Sequence, residues 1–207
     1  MSAAARRARE FARTRKDILE AAARAFVRSG FKAATMQDIA KEAGYTAASL
    51  YSYFTSKEEI FAELHQMLLA EIGEVFAQPM PEGLSFRQKL ELLMRREIDL
   101  AEQRFETYAM LLLDANHAGT SCRAAGFRRR IELLTEFIEK HATPEDLGGH
   151  DPETVAIAVV GMGHGFFVEW LRDPEPRRLG ERLPQVLDLV FYGLRGQART
   201  NASEPNG

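Results

Sequence analysis

The chain has 207 residues, 45% hydrophobic and 28% charged, with a net charge of −3. That length supports one large domain or two small ones, and no apolar run approaches the ~20 residues that cross a bilayer. The lone cysteine, Cys122, cannot form an intrachain disulfide, which fits a reducing, cytoplasmic setting.

The opening MSAAARRAREFARTRK is basic and lacks the apolar stretch of a signal peptide, and it is expected to fray. Its arginines Arg6, Arg7, Arg9 and Arg13 read equally as an arm along DNA or as a solubilising tail. The first packed helix is predicted from about Thr14 to Ser29, with Ile18, Ala22, Ala25 and Phe26 on one stripe and Gly30 as its stop. Thr35 opens the second helix through a capping box with Asp38, and Gly44 ends it. A third helix of two turns runs from Thr46 to about Tyr53. Ser56 opens the fourth through a box with Glu59, and Ile60, Phe61, Leu64, Leu68 and Ile72 form its inner face. Pro79 and Pro81 then break the chain, which puts a domain joint within residues 55–82.

The second half continues as helices. Ser85 and Gln88 box the start of a long one, and further segments are predicted at about 105–115 and 121–140. A loop holds Thr143-Pro144 and the glycines at 148–149. Asp151-Pro152 starts an apolar helix that stops before Pro174, and a last helix covers about 184–196. The expected fold is all-α. Residues 1–55 form a three-helix DNA-binding domain and 56–77 a connecting helix. Residues 82–197 form a larger helical effector-binding and dimerisation domain, and 198–207 a disordered tail.

Charge is divided along the same line. Residues 1–57 hold 11 Lys+Arg against 5 Asp+Glu, and residues 58–207 hold 16 against 25. The basic third contains TMQDIAKEAGYTAASLYSYF, a helix, a short turn at Gly44-Tyr45, and a helix. Such a turn sets the second helix steeply against the first, so that it can enter a major groove. Leu50 and Phe54 lie four apart and anchor it. Thr46, Ala47, Ala48 and Ser49 stand at its N-terminal end, where base edges are reached. Tyr51 and Tyr53 offer hydroxyls near its end, although either ring could instead pack against the protein. Lys57 is a cation in the first turn of a helix, where it opposes the helix dipole; a DNA phosphate gives that placement a reason.

Ala22, Phe26 and Gly30, then Thr35, Ile39-Ala40, Ala43-Gly44, and Leu50-Tyr51-x-Tyr53-Phe54-x-x-Lys57-Glu58 resemble the DNA-binding domain of TetR-family regulators. The resemblance covers roughly residues 12–64. It implies phosphate contacts from Thr35, Tyr51, Tyr53 and Lys57, and base readout by Tyr45, Thr46, Ala47, Ala48 and Ser49. Ala47 and Ala48 depart from the bulky or polar residues many members carry; they can only touch thymine methyls or allow close approach. The all-helical second half looks like the family's ligand-binding and dimerisation domain.

There, Met94, Met110, Phe127, Met162, Phe166 and Trp170 are the candidate effector pocket, suited to an apolar or aromatic molecule. A filled core is the competing reading. Val159, Gly163, Gly165, Leu187, Val190 and Phe191 are the candidate dimer interface, because the last two apolar helices exceed what one monomer buries. Gly161-x-Gly163-x-Gly165 lies mid-helix and is no phosphate loop. The five histidines show no metal spacing, and no reactive cluster suggests catalysis or a cofactor. The expectation is a dimeric regulator that binds a double-stranded DNA operator, a repressor released by a small molecule, with no membrane partner. A regulator controlled without a ligand is the alternative.

Overall fold

A computed structural model of the chain describes residues 2–113, 119–172 and 176–193. Among the described residues there are nine helices and no strand. The first three are α1 (Ala3–Ser29), α2 (Met36–Ala43) and α3 (Ala47–Leu50). α4 (Lys57–Ala77) leads from them into α5 (Phe86–Gln103), α6 (Phe105–Leu113), α7 (Gly119–His141), α8 (Pro152–Arg172) and α9 (Pro176–Tyr192). The tail at 198–207 and the end of the last predicted helix lie outside the described residues.

Capping residues set most of these boundaries. The Thr35 hydroxyl accepts from the Asp38 amide at 3.2 Å, and the Asp38 carboxylate accepts the Thr35 amide at 3.0 Å. Ser85 and Gln88 make the same reciprocal pair at 3.3 and 2.9 Å. Ser56 caps α4 through the Glu59 amide, but the expected box does not close, because the Glu59 carboxylate accepts the Thr55 amide at 2.7 Å instead. Asp151 holds the Thr154 amide at the start of α8. Gly44 has φ 76°, a left-handed value that costs glycine little, and it makes the tight turn between α2 and α3 possible.

Three further expectations are corrected. α1 starts at Ala3, capped by Ser2, rather than fraying up to Thr14. The segment has no apolar stripe to reveal it, yet Ala and Arg are among the strongest helix formers, and α1 continues into a packed helix. The α-helical part of α3 is one turn, not two. Beyond Leu50 the chain tightens into hydrogen-bonded turns, with the Tyr53 amide on the Leu50 carbonyl at 2.9 Å. α9 starts at Pro176, and Pro184, the expected start, lies inside it.

α1 packs on α2, α4 and also on α6, so the larger half touches the reading head directly. α4 is surrounded by α1, α5, α6 and α7, while α8 packs between α7 and α9. Buried apolar residues form one continuous core from Ile18 through Ile60, Leu90 and Ile138 to Leu187.

Candidate DNA-reading head and effector cavity

The head is built on a few fully buried side chains. Ile39, Leu50 and Phe54 are buried in the same core as Ile18, Ala22 and Phe26 of α1, and α3 packs chiefly on α2. Glu42 of α2 accepts from Arg24 at 3.0 Å and from Arg28 at 2.7 Å, so α1 and α2 are also clamped at the rim. Those two arginines hold the Glu42 carboxyl below its usual range, Arg28 first. Arg15 ties α1 to α4 and to the end of the reading segment. Its guanidinium donates to Glu63, Glu59 and the Tyr53 carbonyl and lies over the Phe54 ring. No sequence signal pointed to Arg15. A cation facing two carboxylates 44 and 48 positions away becomes visible only when the helices pack.

The expected base readers are not equivalent. Tyr45, Thr46, Ala48 and Ser49 are exposed together on one side of the turn and α3. Thr46 caps α3 by accepting the Ser49 amide at 3.1 Å and donates to the Ser49 hydroxyl at 3.0 Å. Ala47 departs from the group: it is half-buried and packs against the core, because α3 has only one helical turn and must face inward somewhere besides Leu50.

The expected phosphate contacts also divide. Tyr51 is 54% exposed, the most open of the large apolar and aromatic side chains at the head. Tyr53 is half-buried and stacks on Phe11 with ring centres 4.8 Å apart. The Thr35 hydroxyl and amide both donate to Asp38, at 2.6 and 3.0 Å. These bonds hold the Asp38 carboxyl below its usual range, the hydroxyl contributing most. The Lys57 ammonium donates to the carbonyls of Phe31, Lys32 and Ala34 at 2.8, 3.0 and 2.8 Å. All three of its N–H bonds are thereby used within the fold. The cation in the first turn of α4 has a structural reason after all: it closes the loop between α1 and α2.

The larger half holds a cavity of about 360 Å³. α4 contributes His65, Leu68 and Ile72 to its wall, α6 contributes Tyr108 and Leu111, α7 contributes Phe127 and Arg130, and α8 contributes His164. Of the six expected pocket residues only Phe127 lines it. Met94 and Phe166 line a separate void of about 40 Å³, and Met110 and Trp170 are core residues. Trp170 sits edge-on to Phe105 and Phe167, and Met162 borders neither space. Methionine and tryptophan content marked apolar volume, but volume fills a core as readily as it lines a cavity.

Sequence reasoning missed the polar part of the wall. Arg130 forks onto Glu97 with N–O distances of 2.6 and 3.2 Å, and both side chains are 14% exposed. Burial opposes the Arg130 charge, but Glu97 and the resulting ion pair keep its pKa above the usual value. The Tyr108 hydroxyl is buried and has no hydrogen-bond partner among the described residues. Burial pushes its phenol well above the usual range. Gly126 lets α7 approach α4, since a Cβ there would stand 3.1 Å from Nε2 of His65.

The expected dimer residues are partly spent inside the chain. Val159 and Leu187 are buried, and Phe191 packs edge-on to Phe86. Gly163 and Val190 are half-buried, while Gly165 is exposed. The open apolar surface includes Gly165 and otherwise lies beside them, at Ile157 and Gly161 on α8 and at Leu189 and Tyr192 on α9. Contrary to the expectation that no apolar stretch approaches the length of a membrane span, α8 is long and apolar enough to meet that length and hydropathy, and 28% of its apolar stretch is buried in the bundle.

A compact helix-turn-helix head held on an all-helical body defines a DNA-binding transcriptional regulator. Residues 18–64 match the family described as bacterial regulatory proteins, tetR family. The chain is 30% identical to the HTH-type transcriptional repressor KstR2 of Rhodococcus jostii over 187 residues, 87% of this chain and 90% of that one. It is 37% identical to the HTH-type regulator YhgD of Bacillus subtilis over 185 residues, covering 87% and 96%. Its fold superposes on the transcriptional regulator FadR from Bacillus subtilis, solved in complex with stearoyl-CoA. The TM-score is 0.68, with 20% identity and 86% and 98% of the two chains covered. The chain belongs to the TetR family of transcriptional regulators.

Proposed function

We propose that this regulator is a homodimeric repressor released from its operator by a small, mainly apolar molecule bound in the cavity between α4, α6, α7 and α8. Residues 1–55 act as the reading domain, 56–77 as the connector and 82–197 as the effector and dimerisation domain. The observation that carries the reading is that one helix belongs to both sites. α4 starts at Lys57, which closes the reading head, and eight residues later it lines the cavity with His65. Glu71 further along α4 is forked by Arg104 at 2.6 and 3.0 Å, just before α6 begins. A ligand that parts α4 from α6 therefore moves the root of the head. Dimeric readers need recognition helices about 34–36 Å apart, so a small tilt is enough to lose the operator.

The cavity limits the ligand. A cavity of about 150 Å³ accommodates benzene, and by that ratio about 360 Å³ takes about 14 non-hydrogen atoms. Glu97 already balances the Arg130 charge, so the buried part of the ligand is neutral. Tyr108 lines the space, but its hydroxyl is enclosed, so a polar atom of the ligand takes up that unspent hydrogen bond only by shifting a neighbouring side chain. The stearoyl-CoA named with the Bacillus subtilis FadR structure supports an acyl-chain ligand, although this space encloses a chain of only about 14 atoms; a fused aromatic alcohol fits the same space.

The test is calorimetric titration of octanoyl-, lauroyl- and stearoyl-CoA, and of 1-naphthol, with and without an operator duplex selected from random DNA. At least one probe is expected to bind, and operator is expected to weaken it by the factor by which it weakens DNA binding. Strong release, from 99% bound to 1%, takes about 5.5 kcal/mol of preference. A probe whose oxygen reaches the Tyr108 hydroxyl is expected to lose about tenfold in affinity in Tyr108→Phe, with the fold intact. Equal effector affinity on and off the operator would rule out release and favour a regulator controlled without a ligand.

A further inference from the structure

Residues 3–13 of α1 are helical and exposed along their whole length, and they precede the first buried residue, Ile18. At about 1.5 Å per residue they extend roughly 16 Å. They carry Arg6, Arg7, Arg9 and Arg13 against one acid, Glu10. The family match begins at residue 18, so this extension lies outside it.

Two contacts fix its direction. The Phe11 ring stacks on Tyr53 at 4.8 Å, and one turn later Arg15 donates to the Tyr53 carbonyl and to Glu63. The root of the extension is thus locked to the last turn of the reading segment. An isolated helix this short is marginal in water; here the packed part of α1 supplies the nucleus. The extension has almost nothing apolar to bury. Phe11 is its one large apolar side chain, and it stays 47% exposed although stacked.

We infer that residues 3–13 form a basic helical arm that binds backbone phosphates of duplex DNA flanking the half-site read by α2 and α3. Charge identifies the occupant. Residues 58–207 carry an excess of acid, so the positive charge of the chain is concentrated at this end, next to the DNA that the head engages. The partners are phosphates rather than bases. Arginine is suited to forking a phosphate, and an arm held outside the reading turn meets the duplex beyond the bases that turn covers.

The experiment compares the full-length wild type with a quadruple variant, Arg6→Gln, Arg7→Gln, Arg9→Gln and Arg13→Gln, and with Phe11→Ala. Each is titrated over a salt series on two duplexes, one ending at the operator and one extended by about 10 base pairs, one helical turn, on each side. On the extended duplex, the slope of log affinity against log salt is expected to fall by about 0.9 for each lost phosphate contact. For the quadruple variant that amounts to about two units or more. On the short duplex the slopes should coincide. Phe11→Ala keeps every charge and should lose part of the gain that the flanks give the wild type. Circular dichroism and melting checks that the variants fold. Equal slopes on the extended duplex would overturn the arm, and equal losses on both duplexes would place the arginines on the operator itself. A change in self-association with unchanged slopes would assign them to an acidic face of a second copy instead.

Discussion

Lys57 and Phe31 are joined twice: the ammonium donates to the Phe31 carbonyl at 2.8 Å and lies 4.9 Å from the centre of its ring. Together with the Lys32 and Ala34 carbonyls this makes a closed clamp between the α1–α2 loop and the start of α4. A hydrogen bond from a charged group contributes about 1.5–3 kcal/mol, and stranding its partners costs more than the bond alone. Lys57→Met keeps the aliphatic stem and removes all three bonds. Stability is expected to fall by at least about 2 kcal/mol, lowering the melting temperature by at least about 4 °C for a chain of this size. Melting that stays unchanged, with a salt slope lower by about one, would assign Lys57 to a phosphate and not to the clamp.

Ala47 and Ala48 are neighbours with opposite surroundings, one half-buried and one open. Ala48→Glu is expected to abolish specific DNA binding through bulk and charge, while thermal stability changes by less than about 0.5 kcal/mol. Ala47→Glu should instead destabilise the head, because it forces a carboxylate against the core. An Ala48→Glu protein that binds operator like the wild type would show that α3 does not read the groove.

The open faces of α8 and α9 give the assembly prediction. Ile157 is 46% exposed on a helix of high hydropathy, and Gly161 and Gly165 continue the same side at a spacing of four. A four-helix arrangement of α8 and α9 with their symmetry mates would cover this surface. Sedimentation at micromolar concentration is expected to give a dimer for the wild type and a monomer of unchanged helicity for Ile157→Glu and for Gly165→Arg. A monomeric wild type would remove both the pairing and the half-site spacing argument built on it.

What the sequence determined by itself was local. The capping pairs Thr35–Asp38 and Ser85–Gln88, the left-handed Gly44 and the stripe Ile18, Ala22, Phe26 are read over three or four positions, the range over which helix chemistry acts. They were enough to place the helix-turn-helix and most helix starts. The N-terminal extension escaped because an exposed helix needs no apolar period, only propensity and a packed helix to grow from. The tertiary structure decided everything that depends on which faces meet. It turned Val159 and Leu187 inward while leaving Ile157 and Leu189 open, although all four are equally apolar. It spent the donors of Lys57 on carbonyls 23 to 26 positions away. It also brought Tyr108 to the wall of one cavity with Arg130 and His164, and left Trp170 in the core. Burial and hydrogen-bond partnership belong to pairs of residues distant in the chain, and a cavity is the space that packing leaves between several helices, so no single stretch of sequence encodes it.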